Sequence, residues 1–137
     1  MPRNNNPIQI YRDRISGQKF PVSIQVIATS VDSYIYTATR EVTVKSITAI
    51  PSVAGTDGGA VTATIRRCQS TENPTQGDDL IGTTKINLKG TVNTLQTLTL
   101  TSTTANLTLA AGDRLSVDFT GTLTAAVCLI QVELIYT

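Results

Sequence analysis

Residues 91–124 read TVNTLQTLTLTSTTANLTLAAGDRLSVDFTGTLT and alternate aliphatic with small polar side chains over most of their length. Successive side chains of a β-strand point to opposite faces of its sheet, so a period of two is typical of strands with one buried face. Threonine suits the solvent side of such strands, because its branched side chain fits an extended backbone. The stretch therefore predicts several short strands and places the chain in the all-β class.

The same alternation extends to both sides of this stretch. Four earlier strands are expected in residues 20–29, 33–40, 41–50 and 60–68, and a long final strand in residues 125–136. Between Val44 and Ile47 the apolar positions change phase, which predicts a β-bulge near Ser46. About eight strands and no helix are expected in total.

Turn-forming residues recur every ten or so positions, as at Asp57-Gly58 and Lys89-Gly90. This spacing favours an antiparallel β-sandwich of the jelly-roll type, which protects its sheet edges by packing one sheet onto another. An immunoglobulin-like sandwich is the nearest alternative. It is disfavoured because the chain has no Trp and because its two cysteines fall on poorly matched faces. At 137 residues the chain is long enough for one such domain with a hydrophobic core.

The beginning of the chain differs from the rest. Residues 1–20 contain an Asn run, two prolines and four cations against one anion, whereas the remainder carries a small net negative charge. We therefore expect an extended N-terminal arm over residues 1–20 and a jelly-roll-like sandwich over residues 21–137. The cations of the arm are not densely clustered and lack stacking aromatics, so docking on protein is favoured over direct binding to nucleic acid.

The sequence indicates neither a membrane span nor a signal peptide. No stretch of 18 apolar residues occurs, and Arg3 is not followed by an apolar segment. We therefore expect synthesis and assembly in a cytoplasm, with no membrane partner.

Residues that could carry catalysis are few. The chain has no His, and four of its five candidate acids fit turns or loops, where short carboxylate side chains are common for conformational reasons. These four are Asp57, Asp78, Asp79 and Asp113, and the fifth candidate, Asp118, falls in a predicted strand. A calcium site at Gly77-Asp78-Asp79 is conceivable from its oxygen ligands, but a solvated loop is the favoured interpretation. No catalytic residue, metal or cofactor is predicted.

Two tyrosines and two cysteines leave alternatives open. Tyr34 and Tyr36 fall on one face if their strand is regular, so they could stack on a sugar, although packing against the sheet or a subunit is favoured. Cys128 shares the apolar face of the last strand, whereas Cys68 follows polar positions, and buried free thiols are favoured over a disulfide. The polar loop at residues 69–79 lacks apolar anchors, so we expect it to be mobile or to contact a neighbour.

Several segments resemble one family of viral proteins. They are AGTDGGAVTATIRRC, the long run from DDLIGTTKINLKG to DFTGTLT, and the closing CLIQVELIY, which together span roughly residues 53–137. A turn rich in Asp and Gly, an Asn-Leu-Lys-Gly segment, a Thr/Leu ladder and LAAGDRL occur in order. In this the chain resembles the small β-sandwich cement or decoration proteins of tailed-phage capsids, including those of cyanophages.

This resemblance implies a structural, non-enzymatic virion protein. Such a protein assembles as a homotrimer on the outer surface of the head, bridges subunits of the major capsid protein and stabilises the head against internal DNA pressure. Weak contacts of this kind become firm when symmetry repeats them. The alternative is a receptor- or glycan-binding module of a virion fibre, and a polysaccharide-cleaving enzyme is a more distant one.

The arm is the segment that we expect to hold the partner. Its apolar side chains would dock on a neighbouring subunit or the capsid, with the tyrosine as the anchor, and its arginines would pair with surface carboxylates. The predicted partner-binding residues are Ile8, Ile10, Tyr11, Arg12 and Arg14.

Overall fold

The computed structural model describes residues 15–137 and is all-β, as the sequence predicts. Ten strands and one short 3₁₀ helix follow one another along the chain. The strands are β1 (Lys19–Val26), β2 (Ser33–Thr37), β3 (Val42–Val53), β4 (Thr62–Cys68), β5 (Asp78–Asp79), β6 (Ile86–Asn87), β7 (Gln96–Thr97), β8 (Thr108–Leu109), β9 (Arg114–Thr120) and β10 (Val127–Tyr136), and the 3₁₀ helix is Thr104–Leu107.

The strands form two antiparallel sheets that pack face to face as a β-sandwich. Sheet A has the order β1-β10-β3, and both β7 and β8 pair with β3. Sheet B has the order β2-β9-β4, and both β5 and β6 pair with β4. The four strands from β1 to β4 alternate between the sheets, and β10 lies between β1 and β3. The first and last strands of the sandwich are therefore hydrogen-bonded neighbours.

The core lies between the sheets and is built from the alternate positions that the sequence marks as apolar. Leu115 and Val117 of β9 are fully buried, and so are Ile130, Val132 and Leu134 of β10. Burying an aliphatic side chain of this size stabilises the fold by about 1.5 to 3 kcal/mol relative to leaving it exposed. The alternation along the strands is thus the main source of the driving force for folding.

The predicted bulge is present in β3. Glu133 pairs with Ser46, but the next residue of β10, Leu134, pairs with Val44, so Lys45 is the extra residue. An inserted residue shifts the side-chain phase by one position. Val44 and Ile47 therefore both face the core and are almost fully buried.

Four of the ten strands contain only two residues, which is why the structure has more strands than the expected eight. Two of these short strands, β7 and β8, lie in the Thr/Leu ladder. The side-chain amide of Gln96 donates to the Asn87 carbonyl at 2.7 Å and accepts from the Asn87 amide at 2.9 Å. A side chain thus satisfies both backbone groups of Asn87 in β6, while the backbone of Gln96 pairs with Ala49 of β3.

Candidate interaction surfaces

The predicted partner-binding residues lie outside the described part of the chain. Ile8, Ile10, Tyr11, Arg12 and Arg14 all precede Ile15, where the structural description begins. Their role in docking stays a prediction. The candidate surfaces within residues 15–137 are the outer faces of the two sheets.

Within residues 15–137, the outer face of sheet A carries no charged side chain from Ser23 and Gln131 to the end at Val53 and Val127. The antiparallel register places these side chains on the same side, and the 3.2 Å hydrogen bond from Gln131 Nε2 to Ser23 Oγ joins two of them. We call this surface the charge-free face; its paired residues are Ser23, Gln25, Thr48, Ile50, Val53, Thr97, Val127, Leu129 and Gln131. We include the exposed Ile27 and Leu95, which directly follow β1 and directly precede β7.

The charge-free face is most apolar at the end of the sheet where β1 stops and β10 starts. Ile27, Val53 and Leu95 are exposed by 46%, 45% and 59%, respectively. Leu129 pairs with Ile50, and Val127 pairs with Val53, so aliphatic side chains lie on neighbouring strands. Adjacent exposed aliphatic side chains are typical of surfaces that contact another molecule. This patch is not among the residues predicted from the sequence. The lack of charged residues at alternate positions of SIQVI and VCLIQV nevertheless indicates an uncharged outer face.

At the opposite end of the same face the charges return. Lys19 Nζ lies 3.8 Å from Glu133 Oε1, and both side chains are largely exposed. An exposed pair at this distance contributes little to stability. It marks the border of the charge-free face.

The outer face of sheet B has the opposite character. Arg66 Nε donates to Asp118 Oδ2 at 2.8 Å, and Arg66 Nη1 donates to the Gly77 carbonyl at 3.0 Å. These two charged side chains are only 23% and 17% exposed. Arg66 thus joins two strands and the loop that lies over them.

Asp79 forms the second charged group on this face. It accepts hydrogen bonds from Lys85, from Thr64 and from the amide of Ile81. Burial acts to raise the pKa of Asp79, but these hydrogen bonds and the positive charge of Lys85 outweigh it, so the pKa is lowered. The carboxylate therefore stays ionised and is used in holding β4, β5 and the following loop together.

The polar loop at residues 69–79 has no apolar anchor, as the sequence indicates, but it is bound to the outer face of sheet B of its own chain by hydrogen bonds. Tyr34 Oη donates to the Glu72 carbonyl at 2.6 Å, and Arg114 Nη2 donates to the Ser70 carbonyl at 2.9 Å. Ser116 Oγ donates to the Pro74 carbonyl at 2.7 Å. The loop is held by its carbonyl oxygens, so its lack of apolar residues does not leave it unattached.

Both cysteines are buried free thiols. Cys68 lies under the loop, with Sγ 3.3 Å from Ser116 Oγ and 3.4 Å from the Asn73 carbonyl. Cys128 faces the core beside Ile130, as expected, and burial raises the pKa of its thiol. A raised pKa disfavours the thiolate form and therefore reactivity.

The two tyrosines do not share a face, so the expectation that they lie on the same side of their strand is wrong. A register shift between Tyr34 and Tyr36 pairs them with Ser116 and Leu115, which point to opposite sides of β9. Tyr36 packs inward, with its ring centroid 5.8 Å from that of Phe20. Tyr34 lies on the outer face under the guanidinium of Arg114. The irregularity at Ile35 removes the aromatic platform that a sugar would need.

The candidate acids hold structural contacts. Asp113 Oδ2 accepts from the Ala110 amide, Asp57 Oδ2 from the Thr122 amide, and Asp78 from Arg67 at 2.8 Å. Asp78 and Asp79 have different cationic partners, Arg67 and Lys85. Within residues 15–137 no group of three or more His, Cys, Asp or Glu side chains is arranged to hold a metal ion.

An open groove of about 690 Å³ lies beside β4 and β6 and is lined by Gly, Ala, Val, Thr, Asn and Lys residues. Its lysines already have partners, because Lys85 pairs with Asp79 and Lys89 Nζ donates to the carbonyls of Asp57 and Gly59. The lining contains no aromatic side chain. Sugar-binding sites commonly use such side chains for stacking, so the groove does not favour a glycan.

In the described residues, no helix has both the length and the apolar character that crossing a bilayer requires. Comparison of the chain with protein-family models, with curated proteins and with solved structures finds no match.

Proposed function

We propose that this chain is a structural virion protein that decorates and cements the outer surface of a phage capsid. In this role it assembles as a homotrimer, bridges subunits of the major capsid protein and stabilises the head against internal DNA pressure. It acts without catalysis and without direct contact to nucleic acid or membrane, and it joins the head after synthesis in the host cytoplasm. The proposal combines the sequence resemblance with the chemistry of the sandwich surface.

The observation that carries the proposal is the charge-free face. A protein that works alone in solution rarely leaves several exposed aliphatic side chains on neighbouring strands, whereas contact surfaces are depleted of charge at their centres. Ile27, Val53 and Leu95 are exposed on this face. The surface chemistry therefore favours assembly as the purpose of the fold.

The strand order supports the jelly-roll assignment within the sandwich class. If β5 with β6, and β7 with β8, are each counted as one interrupted strand, the chain has eight strands in two four-stranded sheets. The first, eighth, third and sixth strands then form one sheet, and the second, seventh, fourth and fifth strands form the other. Double-sheet jelly rolls are common among viral capsid proteins.

Attachment to the head is assigned to the arm. Ile8, Ile10 and Tyr11 provide apolar contacts, and Arg12 and Arg14 provide charge-assisted hydrogen bonds to capsid carboxylates. Each contact is modest, and the trimer makes three of them at once, so the effective concentration of the second and third arms is high. Such multivalency gives firm attachment without a large interface per subunit.

Binding to undecorated heads tests this function. A chain lacking residues 2–14 keeps Gly17, whose amide donates to the Tyr136 carbonyl at 2.7 Å, and all of β1. We expect this truncated chain to fold and to lose occupancy on purified heads, and we expect the double variant Arg12→Glu/Arg14→Glu to bind at least about tenfold more weakly. Lys45→Glu, which changes an exposed charge on the sandwich, is the matched control and should bind as the wild type does.

Undiminished occupancy of the truncated chain would exclude the arm as the attachment segment. Failure of the intact chain to bind any head preparation would overturn the proposed function. Affinity for cells or polysaccharide, with only a few copies per virion, would instead favour the fibre module.

A further inference from the structure

The charge-free face offers an unusual combination of side chains. Apart from its aliphatic residues it presents only Ser, Thr and Gln, whose hydroxyl and amide groups both donate and accept hydrogen bonds. A surface of this composition can face a copy of itself, because each Ser, Thr and Gln side chain can act as donor or acceptor towards a like group. No charge on either side is left without a counter-charge.

We infer that the charge-free face is the surface through which copies of this chain associate. The inference rests on the homotrimer of the proposed function, and it places the charge-free faces of the three subunits side by side around the threefold axis, so that each face contacts both neighbours. The aliphatic end, with Ile27, Val53 and Leu95, is buried in the contact, and the polar part of the face extends from it towards the pair Lys19–Glu133. The pair Lys19–Glu133 lies at the rim.

Charge complementarity selects a second copy over a different partner. A partner surface with ordinary charged residues would bury those charges against a face that has no counter-charge for them, and burying an unpaired charge is costly. A second copy brings aliphatic, hydroxyl and amide groups only. The association therefore needs no charged partner residue.

The rest of the sandwich supports the choice of face. On sheet B the outer positions Thr64, Cys68 and Ser116 are already buried, because the loop at residues 69–79 lies over them. On sheet A the corresponding positions Ser23, Gln25 and Gln131 are exposed. Within residues 15–137, the outer face of sheet A is thus the exposed one, and the outer face of sheet B is covered by the loop at residues 69–79.

Leu95→Glu is the variant that tests the inference. Leu95 is 59% exposed, so the substitution removes no core side chain and the monomer should fold normally. In the assembly it would bury a carboxylate against aliphatic side chains, and we expect association to weaken roughly a hundredfold or more. The measurement is the molar mass by sedimentation or light scattering over a range of concentrations, relative to the 14.6 kDa chain.

Thr48→Glu and Thr62→Glu form a matched pair on the two sheets. Both threonines are half-buried on outer faces, and each lies opposite another threonine, Thr97 for Thr48 and Thr120 for Thr62. We expect Thr48→Glu, on sheet A, to dissociate the assembly and Thr62→Glu, on sheet B, to leave it intact. Circular dichroism of both variants checks that they are folded.

The inference is overturned if the intact chain is monomeric at about 0.1 mM, a concentration that would detect even weak complexes. It is equally overturned if folded Leu95→Glu stays assembled, or if Thr62→Glu dissociates the assembly as strongly as Thr48→Glu. Head binding is measured separately: copies that associate through sheet A but do not bind heads would contradict the proposed function and leave this inference standing.

Discussion

The outer faces of the two sheets differ in charge and in cover, although both are built from strands with the same alternating pattern. On sheet B, Arg66, Asp118 and Asp79 form ion pairs, and a loop of the same chain lies over the face. On sheet A, Ile27 and Leu95 are exposed on the charge-free face. Within residues 15–137, one sheet thus completes its outer contacts with its own chain, whereas the other keeps aliphatic side chains exposed.

The two faces also contribute differently to the stability of the subunit. The loop over sheet B accepts hydrogen bonds from Tyr34, Arg114 and Ser116, and each hydrogen bond of this kind contributes about 1 kcal/mol net. The exposed ion pair on sheet A contributes close to nothing. Substitutions on sheet B should therefore affect unfolding, and substitutions on sheet A should affect association.

The largest effect on unfolding is expected for Gly77→Ala. A Cβ atom at this position would lie 2.3 Å from the Arg67 carbonyl oxygen and 2.8 Å from Cys68 Sγ, so the loop would have to move away from sheet B. We expect a loss of about 2 to 3 kcal/mol in the free energy of unfolding, measured by urea denaturation. Gly58→Ala is the control, because nothing lies within 4 Å of its added Cβ, and it should change stability by less than about 0.5 kcal/mol. Equal urea midpoints of unfolding for Gly77→Ala and Gly58→Ala would contradict the close packing of the loop against sheet B.

A smaller loss is expected for Arg66→Ala. The substitution removes the hydrogen bonds to Asp118 and to the Gly77 carbonyl and leaves a half-buried carboxylate without its partner. We expect about 1 to 2 kcal/mol of destabilisation in the same urea experiment. Arg66→Lys keeps the charge but lacks the second donor group, so it should fall between the wild type and Arg66→Ala. If Arg66→Ala unfolds at the same urea concentration as the wild type, the stability of sheet B does not depend on this contact.

Asp79 makes the stability of the subunit depend on pH in the acid range. Its folded pKa lies below the ordinary value of 3.8, so its contribution is complete above that value and is lost as the pH falls through the folded pKa. Asp79→Asn should therefore lose less stability than the wild type between pH 5 and pH 2, in urea titrations at each pH. Lys85→Met should show the same flattening, because Lys85 is one cause of the lowered pKa. Unchanged pH profiles in both variants would contradict this role of Asp79.

The smallest effect is expected for Lys19→Ala on sheet A. Its ammonium group is 3.8 Å from the Glu133 carboxylate, and the two side chains are 61% and 43% exposed. We expect a change of less than about 0.3 kcal/mol in the free energy of unfolding. A loss as large as that of Arg66→Ala would remove the distinction between the two faces.

Much of the sandwich could be predicted from local sequence. The alternation of Leu115, Val117, Ile130 and Val132 identifies buried positions because a strand repeats every two residues, and the phase change before Ile47 identifies the bulge in β3. The irregularity at Ile35 could not be predicted, since Tyr34, Ile35 and Tyr36 are all compatible with either face. Its position depends on pairing with β9, about eighty residues further along the chain.

The candidate surfaces divide in the same way. The lack of charge at the outer positions of β1 and β10 is a property of the sequence, because it follows from alternation within single strands. Whether a polar outer face is covered is a property of the tertiary structure. The loop at residues 69–79 has no apolar anchor, and its attachment depends on carbonyl oxygens that meet Tyr34, Arg114 and Ser116 only after β2, β4 and β9 have paired.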